Sequence, residues 1–146
     1  MIDQHCHTSS IRVKRSAAAV FDLMSDGIKQ GHWAWGSFQR EEVSKGLFVG
    51  TSVFDGQQTF VRLNSDVERL TVDYEVGKSE ANMQFRNMSR VLPGPVVGLS
   101  DEECIVSLIT WRLASQDDDS WSQIGTVHEA EMYLIRGLAE RGLPNA

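Results

Sequence analysis

Apolar and polar residues alternate with period two along much of the chain, then change to helical spacing over its last long stretch. From Gln4 to Lys14, His5, His7, Ser9, Ile11 and Val13 share one side, and Cys6, Thr8, Ser10, Arg12 and Lys14 the other. That pattern, with β-branched residues near its end, predicts a strand. Ser16 then stands as the cap of a short helix over AAAVFDLMSD, with Val20, Phe21 and Met24 as its apolar contacts and Asp26-Gly27 as its end. IKQGHWAWGSF reads as a second short helix running into a strand, although Gly31 and Gly36 limit regular structure there. Strands are expected over Phe38 to Ser44, Leu47 to Phe54, Gln57 to Asn64, Val67 to Val76, Met83 to Leu92 and Cys104 to Leu113. Lys45-Gly46 and Asp55-Gly56 read as hairpin turns, the second of the two-residue kind. Leu70, Val72, Tyr74 and Val76 share one side of their strand. Cys104 to Leu113 is the most apolar strand, expected centrally or against a helix, and Gln116 to Asp119 reads as an acidic, solvated linker.

The final stretch, SWSQIGTVHEAEMYLIRGLAER from Ser120 to Arg141, is the only one long enough for a major helix. At about 100° per residue, Trp121, Ile124, Val127, Leu134, Ile135 and Leu138 share one broad face, with Met132 and Ala139 at its margin. His128 and Glu131 fall inside that apolar stripe, whereas Tyr133, Arg136 and Glu140 point away. Ser120-x-x-Gln123 and Thr126-x-x-Glu129 both fit a capping box, giving two possible starts, and Gly142 followed by Pro144 is a stop. A strand, two short helices, roughly six strands and a long helix predict an α+β domain. The expected architecture is a helix grip: a curved antiparallel sheet of about seven strands wrapped around the C-terminal helix, with two short helices after the first strand. Residues 1–146 form one domain, and the helix seated in the sheet's concavity leaves a cavity beneath it.

Composition narrows the function. A chain of 146 residues can bury its own core. A net charge of −6 argues against nucleic acid as a partner, since that needs a basic footprint. No apolar run reaches the roughly 18 residues of a membrane span, and the N-terminal stretch lacks the apolar core of a signal peptide, which points to the cytoplasm. Two cysteines, Cys6 and Cys104, are too few for a disulfide framework and read as thiols.

IRVKRSAAAVFDLMSD at Ile11 to Asp26, Trp33 after the second short helix, the apolar strand CIVSLITWRL and the long C-terminal helix together resemble the SRPBCC superfamily. This is the START-like or helix-grip group, here its polyketide cyclase/dehydrase or lipid-transport-like branch. The resemblance covers nearly all of the chain and rests on pattern and order. Ser16 or Ala17 stands where a proline is common, and Trp33-Ala34-Trp35 is richer in tryptophan than most. The resemblance implies a cavity for a small hydrophobic, aromatic or polycyclic ligand without fixing a reaction. No cofactor is expected, and a homodimer is the other partner considered.

His5-Cys6-His7 near the N-terminus is similar to the metal-binding segment of PHP-type phosphoesterases, because residues two apart on a strand point the same way. That fold needs many more ligands, and only His32 and His128 remain, so no metal is expected. A smaller zinc site joining His5 and His7 to His128 or Glu131 is the alternative. His128 and Glu131 are the sharper signal. A buried carboxylate needs a partner, solvent or a polar cavity, and the grip architecture favours the cavity. There the pair could serve as general acid and base on a bound carbonyl or enol. Trp33 and Trp35 belong at the pocket mouth, and Tyr74, Phe85, Trp111 and Ile135 complete the ligand-lining set with His128 and Glu131. Arg62, Arg86 and Arg112 are expected to face outward. No P-loop, dinucleotide glycine motif or nucleophile elbow occurs. Two convergent polar groups favour a binding or carrier protein. A cyclase/aromatase-type enzyme working through His128, Glu131 and Tyr74 is the alternative.

Overall fold

The alternating segments form one seven-stranded antiparallel sheet in the computed structural model, which describes residues 2–143. The strands are β1 (Cys6–Val13), β2 (Phe38–Ser44), β3 (Leu47–Thr51), β4 (Gln58–Asp66), β5 (Thr71–Gly77), β6 (Gln84–Pro93) and β7 (Cys104–Trp111). Their spatial order is β1-β7-β6-β5-β4-β3-β2, so β2 to β7 run as a meander and β1 closes onto β7. The helices are α1 (Ala17–Met24), α2 (Gly27–Gln30) and α3 (Asp118–Arg141). This is the helix-grip α+β architecture, with both short helices after the first strand.

One face of the alternation makes the core. Val106 and Leu108 of β7, Val91 of β6, Val72 and Tyr74 of β5 and Val61 of β4 are all buried. Val20, Phe21, Leu23 and Met24 of α1 and Met132 and Ile135 of α3 join the same cluster. β7 lies one strand in from the β1 edge, with its alternate residues Cys104, Val106, Leu108 and Thr110 sealed inward. On α3 the buried face is Val127, His128, Glu131, Met132 and Ile135. Met132 is therefore well inside the face rather than at its margin, and Trp121 and Ile124 are only half-buried.

Ser16 caps α1 as its type predicts, its hydroxyl accepting the Ala19 N–H at 3.3 Å. Asp26 does more than end α1. Its carboxylate accepts the N–H groups of Ile28 and Lys29, at 2.9 and 3.0 Å, and so starts α2. α3 begins earlier than either capping box. Asp117 is the N-cap, accepting the Ser120 N–H at 2.8 Å, and Asp118 and Asp119 occupy the first turn, where negative charge suits the helix dipole. The acidic stretch is thus helix start, not linker. Gly142 closes the helix, its N–H donating to Leu138 O at 2.9 Å, while Pro144 lies outside the described residues.

Asp55-Gly56 turns within a loop over 52–57 that is longer than a two-residue hairpin. The Ser52 N–H donates to Gln57 O at 2.8 Å, and Gly56 supplies the positive φ of 72°. Likewise Val67 to Leu70 is turn, not strand, held by Asp66 accepting from Glu68 and Arg69 at 3.0 Å, with Leu70 at φ 56°.

Candidate functional site

His128 and Glu131 sit one turn apart on α3, 9% and 3% exposed. They border a cavity of about 90 Å³ lined by α3, the sheet and the turn after α2. Trp33, Ala34, Val61 and Val76 form its apolar walls. Gln30, Ser37, Arg40, Tyr74, Asn87, His128 and Glu131 supply the polar part.

Glu131 has one firm partner. Its Oε2 accepts the Trp35 main-chain N–H at 2.9 Å, which ties the turn after α2 to the helix. Its Oε1 lies 3.8 Å from His128 Nε2, too long for a hydrogen bond. Burial pushes the Glu131 carboxyl up to about 8, against the opposing pull of the Trp35 N–H and the Arg40 charge. Burial first, then the neighbouring His7 and Arg86, pushes His128 down to about 4. At neutral pH the pair is therefore largely a carboxylic acid beside a neutral imidazole. One can donate a proton and the other can accept one.

Arg40 is the site residue that the sequence concealed. A bulge in β2 between Phe38 and Glu41, with Gln39 at φ 55°, carries it against the turn after α2. Gly31 makes room: a Cβ there would stand 2.9 Å from Arg40 N. Arg40 Nε donates to Ser37 O and Oγ, at 2.9 and 3.2 Å, and Nη1 donates to Gly27 O at 3.3 Å and to Gln30 Oε1. Burial draws the guanidinium down to about 10, so it stays charged at neutral pH.

Tyr74 reaches the cavity, but its hydroxyl is committed, donating to Met24 O at 3.1 Å and sharing a 2.9 Å hydrogen bond with Ser89 Oγ. Burial holds its phenol well above the ordinary tyrosine range. Tyr74→Phe should cost about 1–2 kcal/mol, because Met24 O is left buried without its donor. Urea denaturation measures that loss, and an unchanged midpoint would show the hydroxyl to be dispensable.

Trp33 is 2% exposed, and its indole N–H has no partner. Trp35 contributes its main-chain N–H, and its half-buried indole is not among the cavity walls. Phe85 and Trp111 are corrections. They lie away from the cavity, 48% and 37% exposed, with their rings 5.5 Å apart. Thr110 points inward, so Trp111 after it points out, and Phe85 pairs with Glu75 beyond a bulge. Ile135 is also displaced from the cavity, fully buried in the core. Arg86 corrects the outward expectation. That bulge turns it toward the inner face, where Nη1 donates to Trp111 O at 2.6 Å and to Thr110 Oγ1 at 3.4 Å. Arg62 pairs with Glu75 at 3.5 Å and Arg112 with Asp118 at 2.9 Å, as surface ion pairs.

The two N-terminal histidines part. His5 is exposed and bonded to Asp3 at 2.8 Å, whereas His7 faces α3 with its ring centre 6.4 Å from that of His128. No group of three or more His, Cys, Asp or Glu is placed to hold a metal ion among the described residues. The alternative zinc arrangement is not assembled.

Among solved structures the chain is similar to the Zhui aromatase/cyclase from Streptomyces sp. R1128, at 15% identity and TM-score 0.64, covering 93% of each chain. It is similar to a START superfamily protein from Mycobacterium smegmatis, at 10% identity and TM-score 0.60, covering 92% of this chain and 93% of that one. It is also similar to the Aha1 dimer from Colwellia psychrerythraea, at 10% identity and TM-score 0.65, covering 99% of this chain and 100% of that one. The chain thus has the START-like, polyketide cyclase-like helix-grip fold. No protein-family profile and no curated protein matches its sequence. No helix among the described residues is long and apolar enough to cross a membrane.

Proposed function

We propose that this chain binds a small organic molecule between α3, the sheet and the turn after α2. The observation that carries this reading is the Trp33 indole N–H, buried without a partner in the wall of a cavity that Arg40, His128 and Glu131 also border. A solid core satisfies its polar groups, whereas a pocket keeps a few convergent ones for its ligand. The apolar walls suit an aromatic or other hydrophobic frame, and the polar side suits one oxygen-bearing substituent. Pockets for drug-sized ligands measure roughly 300 Å³ or more. The cavity of about 90 Å³ therefore suits a compact molecule, and a polycyclic one would require movement of α3 or of residues 31–37. A fold shared with an aromatase/cyclase and a START protein supports ligand binding as the role. A cytoplasmic location belongs to the same proposal, since Cys6 is exposed as a free thiol.

Native mass spectrometry of the purified protein, followed by extraction, is the direct test. A retained small compound is expected, and the same spectra report whether the chain is a homodimer. Bare protein in every preparation, with no small molecule raising the melting temperature, would remove the reading.

The juxtaposition of His128 Nε2 and Glu131 Oε1 supports a second reading, proton-transfer catalysis of the cyclase/aromatase type. Glu131→Gln and His128→Ala should each weaken a bound ligand by about tenfold, the worth of one hydrogen bond. Turnover of that ligand by the wild type, abolished in Glu131→Gln, would select the enzyme. Unchanged affinity in both variants would take the pair out of the site.

A further inference from the structure

We infer that the ligand is a compact anion, a carboxylate or a comparably acidic enol or phenol, held by Arg40 and Trp33; this rests on the binding reading above. The guanidinium of Arg40 is the starting point. Its four hydrogen bonds go to neutral oxygens: Ser37 O, Ser37 Oγ, Gly27 O and Gln30 Oε1. No hydrogen bond engages Nη2, and no carboxylate lies within ion-pair distance of Arg40 among the described residues. Arg62, Arg69 and Arg112 each have a carboxylate partner. Electrostatics would assign counter-charges the other way round, because a desolvated cation gains most from one.

The acid nearest to hand does not fill that role. Glu131 turns Oε2 to the Trp35 N–H and Oε1 toward His128, and its burial keeps it largely protonated. His128 is neutral. The residues lining the cavity at neutral pH therefore carry one positive charge, an unpartnered indole N–H and no full negative charge. A planar carboxylate can meet the free Nη2 of the guanidinium with a charge-assisted hydrogen bond, and its second oxygen can accept from an indole. A neutral carbonyl would use the Trp33 N–H and leave the charge uncompensated.

Benzoate and benzamide test this directly, since they share ring and outline and differ in charge. By isothermal titration near neutral pH, benzoate should bind at least about tenfold more tightly than benzamide. Benzoate should shift the Trp33 indole N–H resonance, and at about tenfold lower concentration than benzamide does. Arg40→Gln should remove the preference. Should that variant fail to fold, Trp33→Phe keeps most of the wall, removes only the donor side of the indole, and should weaken benzoate several-fold. Benzamide binding as well as benzoate would overturn the anion inference and leave the pocket standing. Benzoate binding without movement of the Trp33 signal would also overturn it, as binding elsewhere. Neither compound binding, to a protein that also carries nothing in native mass spectra, would overturn both.

Discussion

Glu131→Gln should make the protein more stable than the wild type at pH 8, by about 2 kcal/mol more than at pH 6.5. The sign follows from two displaced groups. Glu131 is raised from 4.5 to about 8 in the fold, so its contribution is complete below pH 4.5 and is lost as pH rises through 8. His128 is lowered from 6.5 to about 4, so its contribution is present above pH 6.5 and is lost as pH falls through 4. Between 4.5 and 6.5 the unfolded chain has given up one proton at Glu131 and still holds one at His128, and the two differences cancel. Above 6.5 only Glu131 counts, and stability falls by about 1.4 kcal/mol per pH unit until its own titration ends. Glutamine keeps an oxygen to accept the Trp35 N–H and offers His128 Nε2 a donor. The variant should therefore be flat from pH 6.5 to 8, and should lose stability below 6.5, where His128 is no longer offset. Urea denaturation at pH 5, 6.5 and 8 measures all of this. A wild type whose stability does not fall between 6.5 and 8 would show that Glu131 is ionised in the fold.

Most of the architecture could be read from the chain because period two and period 3.6 are both set by which side chains must leave water. β2 lies where the alternation puts it, and Ser16 caps α1 as expected. The misplaced boundaries share one cause. Asp26, Asp55, Asp66 and Asp117 each accept main-chain N–H groups two or three residues on. That interaction starts a helix at Asp26 and Asp117 but only a turn at Asp55 and Asp66. Which outcome follows depends on what the next residues can bury, and a local pattern does not carry that.

The site was half legible for a related reason. His128 and Glu131 announced themselves by breaking an apolar stripe. Trp111 did not, because both faces of β7 are apolar: Ile105 and Ile109 alternate with Val106 and Leu108, so the phase of the strand is hidden. Arg40, Phe85 and Arg86 lie in or beside bulges, in β2 and between β5 and β6. A bulge adds one residue and so exchanges the faces of whatever follows. Gln39 takes its φ of 55° without being a glycine, and no residue type marks the bulge beside Arg86. Gly31, whose missing side chain admits Arg40, was visible in the sequence. It read only as a limit on regular structure.

Ile135→Ala should cost about 2–5 kcal/mol, a large share of the roughly 5–15 kcal/mol that holds an ordinary domain together. Ile135 stands one turn beyond Glu131 on the same face of α3, yet it is fully buried in the cluster with Met132, Val106, Leu108 and Met24. If it walled the ligand space, alanine would merely enlarge that space, and the loss would be small. As core it loses the transfer energy of three carbons and leaves a void that close-packed neighbours cannot fill. Val76→Ala removes less, from a half-buried position on the cavity wall, and should cost about 1 kcal/mol, near the centre of measured substitutions. Urea midpoints at unchanged m-value compare the two. A smaller loss at Ile135 than at Val76 would extend the cavity along α3, beyond Glu131. The expected order confines it to the turn of α3 that carries His128 and Glu131, and that confinement is what limits the ligand to a compact molecule.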